Sequence, residues 1–88
     1  MLRISADQGR GNELQFQLEG KLVGPWIEEL RRVTEQALTE GKKVSLDLEK
    51  LRFVDLEGVV LLRTLIAKNV KPLNCSPFIS QQLQETTL

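Results

Sequence analysis

Glu13-Leu14-Gln15-Phe16-Gln17-Leu18-Glu19 alternates polar and apolar residues without a break. Side chains along a strand point to opposite faces in turn, so Leu14, Phe16 and Leu18 share one face and predict a half-buried β-strand. Upstream, Leu2, Ile4 and Ala6 alternate in the same way and predict a shorter strand. Between the two, Asp7-Gln8-Gly9-Arg10-Gly11-Asn12 has the composition of a turn, so the pair reads as a hairpin. Downstream, Gly20 to Gly24 is a connector, and Pro25 sits where the first helical turn accepts a residue without an N–H. Trp26, Ile27, Leu30, Val33, Thr34, Ala37 and Leu38 recur at helical spacing. Glu28 and Glu29 suit the positive end of the helix dipole, and Gly41 is a natural stop. The spacing predicts a helix over residues 25–40, with Trp26 and Phe16 contributing to the core. Val44, Leu46 and Leu48 then alternate again as a third strand. Strand, helix and strand in that order imply a right-handed crossover and a parallel pair.

Residues 49–56 read as a connection. A second helix is expected over 57–68, with Gly58, Leu61, Leu62, Leu65 and Ile66 on its buried face and Arg63 and Lys68 on its wet one. Val70 to Asn74 predicts a short fourth strand. Pro72 removes a ladder donor there, which places the strand at a sheet edge or at a strand end. Ser76-Pro77 starts a last helix, with Ser76 as cap and with Phe78, Ile79 and Leu83 as anchors; the end, residues 85–88, is expected to fray. The fold class that follows is α/β: one domain over 1–88, a mixed sheet of about four strands, and two to three helices packed on one face. An unpaired edge beside residues 70–74 invites pairing with another chain, and Pro72 blunts it, so the expected state is a monomer or a weak dimer.

Composition narrows the function classes. The 88 residues are 41% hydrophobic, enough for one modest core and little room for a deep cavity. Twelve basic residues balance twelve acidic ones, and Lys42-Lys43 is too short a run for a nucleic-acid or membrane footprint. Histidine and tyrosine are absent, which removes the commonest general base and imidazole metal ligand. Cys75 stands alone, with neither a disulfide mate nor a histidine to activate it. Gly9-Arg10-Gly11 lacks the third glycine of a nucleotide-binding loop and falls in a hairpin turn. Asp47, Glu49, Asp55 and Glu57 do not make a calcium-type site, because Asp47 and Glu49 occupy the solvated side of a strand. No basic head with a long apolar run opens the chain, and no stretch reaches the ~18 apolar residues of a membrane span. These features point to a cytoplasmic, non-enzymatic protein with no cofactor, no metal, no nucleic-acid partner and no direct membrane insertion.

The local arrangement that stands out is Phe53-Val54-Asp55-Leu56-Glu57-Gly58. It follows a strand and opens an apolar helix, where α/β domains place recognition chemistry. Asp55 there suits the cap of the helix and Glu57 its dipole.

This segment resembles the signature loop of the STAS domain family, named for sulphate transporters and anti-sigma-factor antagonists. That loop reads approximately Phe-hydrophobic-Asp-Ser-Ser/Thr-Gly-hydrophobic, against Phe53-Val54-Asp55-Leu56-Glu57-Gly58-Val59 here. Leu18-Glu19-Gly20-Lys21-Leu22 and the helix from Trp26 to Leu38 are similar to the family's first strand-to-helix passage. Val44-Ser45-Leu46-Asp47-Leu48 is similar to its central strand, and Leu73-Asn74-Cys75-Ser76-Pro77-Phe78-Ile79 to its fourth strand running into the last helix.

The resemblance implies a protein-interaction module of bacterial signalling and transcription regulation, whose partner is a kinase-type anti-sigma factor or a related regulatory ATPase. It places partner binding at Asp55, Leu56, Glu57, Gly58 and Val59. It also makes Glu57 the phosphorylation-site equivalent: the family's phosphorylatable Ser or Thr stands just before the loop glycine, and this chain has an acid there. The usual phosphorylation switch is therefore not expected to run. The family fold can carry a further strand, for which no stretch of this sequence remains. A second function that the resemblance allows is an accessory subunit binding the ATPase of a membrane transport complex.

Overall fold

The computed structural model describes residues 1–85. Strands β1 (Leu2–Gln8) and β2 (Glu13–Leu22) form the expected hairpin, closed by a turn in which Gly9 N–H donates to Glu13 O and Gly11 takes φ 62°. Helix α1 (Pro25–Thr39) follows, then β3 (Lys43–Val54), α2 (Leu56–Ala67), β4 (Lys71–Leu73) and α3 (Pro77–Glu85). The sheet order is β1-β2-β3-β4. β1 runs antiparallel to β2, while β3 is parallel to both β2 and β4, so the sheet is mixed. β4 lies at an edge, where Pro72 is tolerated. Residues 86–88, most of the end expected to fray, lie outside the described residues.

One sheet face is covered and the other is wet. Leu2 of β1, Phe16, Leu18 and Leu22 of β2, and Val44, Leu46 and Leu48 of β3 are buried with Ile27 and Leu30 of α1, Leu61, Leu62 and Leu65 of α2, and Ile79 of α3 in one core. Trp26 is half-buried against the same core. The intervening residues Arg3, Ser5, Gln17 and Glu19 are exposed. The period-two alternation of the sequence is the cause: it gives each strand one apolar side, and all three helices gather there.

The structure corrects four details. The stretch 49–56 is not a connection: β3 continues to Val54, with Leu51 and Val54 buried. Two register shifts against β2, between Gln17 and Glu19 and between Gly20 and Lys21, each insert an extra residue in β3. The buried positions Leu48, Leu51 and Val54 then fall three apart, which breaks the alternation that marks a strand. β2 likewise runs on through Gly20 to Leu22. Ile66 is exposed and Val59 takes a buried place on α2, because the helix turns the 59, 62, 65 row inward. Phe78 is exposed rather than an anchor, since Ile79 and Leu83 make the packed side of α3.

Candidate functional site

The parallel strands β2 and β3 end together, Leu22 opposite Val54, and α2 starts directly above them. Asp55 is the turning point. Its N–H donates to Leu22 O at 3.3 Å, which closes the strand pair. Its side chain then caps α2: Oδ1 accepts from Gly58 N–H at 2.8 Å. The other oxygen, Oδ2, accepts a longer bond from Gly24 N–H at 3.4 Å. Gly24 is the residue before α1 and has no side chain with which to cap that helix. One carboxylate therefore ties together the starts of two helices, each with free N–H groups and partial positive charge.

Gly58 is buried in the first turn of α2. A β-carbon on it would lie 2.7 Å from Val54 Cγ1 and 2.9 Å from Leu22 O, so only glycine lets the helix sit this close to the strand ends. Val59 is buried beside it. The five residues expected to bind a partner thus divide. Asp55, Gly58 and Val59 build the platform, and the latter two present no side chain to solvent. Leu56 is 68% exposed. Glu57 is exposed and has no hydrogen-bond or ion-pair partner among the described residues.

Two neighbours belong with Leu56 and were missed. Val60 is 54% exposed one helical turn on, and Phe53 is 42% exposed at the end of β3. Helical spacing was the available signal for Val60, because positions 56, 60 and 64 share one face, opposite the buried row. Phe53 gave none, because the register shifts in β3 set its side. The site is an acid set among exposed apolar side chains on a rigid helix start, an arrangement suited to docking rather than to chemistry.

Elsewhere the titratable groups are ordinary. No group of three or more Cys, Asp or Glu among the described residues is placed to hold a metal ion. Asp47 and Glu49 sit apart from the loop acids: Asp47 Oδ1 accepts from Glu49 N–H at 3.0 Å and from Asn74 Nδ2 at 3.1 Å. Burial pushes the Cys75 thiol up from its usual range. On the surface of α1, the hydrogen bond from Arg32 holds the Glu29 carboxyl below the usual carboxylate range. No helix among the described residues is long and apolar enough to cross a membrane.

The architecture has solved counterparts. The anti-sigma factor antagonist SpoIIAA in its unphosphorylated form superposes with a TM-score of 0.77, at 21% identity over 93% of this chain and 82% of its own. The Bacillus cell fate determinant SpoIIAA in the phosphorylated form gives 0.71, at 24% identity over 98% and 85%. An antisigma-factor antagonist STAS domain from Rhodobacter sphaeroides gives 0.64, at 18% identity over 99% and 96%. No family model and no curated protein matches the sequence. At these identities the likeness is one of fold.

Proposed function

We propose that this chain, which has the fold of the STAS anti-sigma-factor antagonists, is a protein-interaction module that docks its partner on the start of α2. The partner class is a kinase-type anti-sigma factor or a related regulatory ATPase. The observation that carries the reading is the pairing of Leu56 and Glu57: an apolar side chain two-thirds exposed, next to an acid that nothing in the fold engages. Phe53 and Val60 extend the apolar part. A partner that fits offers apolar surface to Leu56, Phe53 and Val60 and a cation, best an Arg, to Glu57.

Glu57 also sets the regulation. It occupies the place of the family's regulatory hydroxyl, so a phosphoryl group has no oxygen to attach to. Its carboxylate carries one charge and two oxygens where a phosphoserine carries about −1.5 to −2 and three, so it copies the modified state in part. The complex is therefore constitutive with respect to this position, and its partner reads the acid directly.

The test is affinity capture from the host on the full chain, in parallel with Leu56→Asp. The expected result is an ATPase of the kinase-type anti-sigma class or a relative, retained by the native chain and lost by the variant. Retention of the same proteins by both, or capture of no ATPase, overturns the reading. An ATPase of a transport complex in the same capture would move the module to that machinery while keeping the surface.

A further inference from the structure

We propose that β1 is the docking edge for a second copy of this chain, in an antiparallel pair centred on Ser5. The hydrogen-bond phase of the hairpin carries the argument. Lys21 N–H donates to Met1 O, and Gly9 N–H donates to Glu13 O. With Leu2 opposite Gly20 and Gln8 opposite Leu14, the odd residues of β1 are those bonded to β2. The N–H and C=O groups of Leu2, Ile4, Ala6 and Gln8 therefore point away from the sheet. β1 is the outer strand, and nothing among the described residues pairs with that side.

Edges this long are usually blunted by proline, a bulge or an inward-pointing charge. β1 has none of these over its seven residues, and its register with β2 is unbroken. The other edge contrasts with it: β4 is three residues long and holds Pro72.

The choice of a second copy over another extended chain rests on charge. Arg3 and Asp7 lie on the open sheet face, opposite Glu19 and Gln15 of β2. Among the described residues neither has an ion-pair partner. In an antiparallel pair centred on Ser5, Arg3 of each copy stands directly opposite Asp7 of the other, twice by symmetry. The same register sets Leu2 against Gln8 and Ile4 against Ala6. These are the residues with free backbone groups, so about eight N–H···O bonds form, two for each of four opposed pairs. Sliding the copies by two residues keeps the backbone phase but sets Arg3 or Asp7 against Ser5 and loses both charge pairs. The result is an isologous dimer with a continuous eight-stranded sheet. Two short strands bury less than about 1,200 Å² in all, the size of weak, reversible pairs.

The test is sedimentation velocity on the full chain from about ten to several hundred micromolar. The native chain is expected to pass from monomer to dimer across that range. Ala6→Pro removes only an outward donor, so it is expected to leave a monomer at every concentration with a near-native melting temperature. Arg3→Asp and Asp7→Arg are each expected to be monomeric alone and to form a dimer when mixed, which keeps the proposal testable should the proline variant fail to fold. A native chain that stays monomeric throughout overturns the proposal, including the case in which β1 instead pairs with a strand of another protein. So does a dimer that survives Ala6→Pro, or single charge variants that do not recover on mixing.

Discussion

Gly58 lies directly on the carbonyl oxygen of Leu22: a β-carbon there would stand 2.9 Å from that oxygen, closer than such atoms approach in folded chains. The glycine's backbone angles are ordinary for a helix, so its role is packing alone. It lowers the first turn of α2 onto the ends of β2 and β3 and so fixes how Leu56 and Glu57 face solvent. Gly58→Ala must push the helix start outward or displace Val54. The expected cost is about 1–3 kcal/mol, as for other overpacked core positions. For a domain of this size each kcal/mol lowers Tm by roughly 4–8 °C. A thermal melt by circular dichroism checks it, and an unchanged Tm contradicts the packing account.

Asp55 acts by a different route. Asp55→Ala removes the cap bond to Gly58 and the longer bond to Gly24, and is expected to cost about 1 kcal/mol. Asp55→Asn retains a cap oxygen and is expected to keep most of that stability. Denaturant unfolding of the two variants separates capping from charge. Equal losses would show that the negative charge between the two helix starts, rather than the hydrogen bond, is what counts.

The sequence made much of this fold readable because β2, α1 and the first half of β3 each carry a single clean period. Leu14, Phe16 and Leu18 repeat every second residue, and Ile27, Leu30, Thr34 and Ala37 every third or fourth. The reading stopped where two periods mix. Leu48, Leu51 and Val54 are spaced by three because β3 gains two residues against β2, and no one-chain pattern records a register shift with a partner strand. That is why residues 49–54 read as a loop and why the exposure of Phe53 went unseen. On the site, Asp55 as a cap was legible from its place before an apolar helix. The burial of Gly58 and Val59 was not, since it depends on the height of α2 over Leu22 and Val54.

Cys75 gives a chemical check on the packing between β4 and α3. Its thiol is pushed up by burial, and the thiolate is the reactive form. A thiol-specific reagent at pH 8 is expected to modify the folded chain several-fold more slowly than the urea-unfolded chain. Equal rates would mean that the segment opens as fast as the reagent samples it.

The central claim is that Leu56 and Glu57 form a recognition surface and are not merely a stable helix start. The most direct measurement is the affinity of the captured ATPase-type partner for the native chain, Leu56→Asp and Glu57→Ser, each with its Tm. Neither side chain packs in the core, so stability should move by no more than about 0.5–1 kcal/mol, the part Glu57 owes to the helix dipole. Binding is predicted to weaken about tenfold or more for each variant, roughly 1.4 kcal/mol or above. An unchanged affinity, or losses in affinity that only track losses in Tm, would contradict the account.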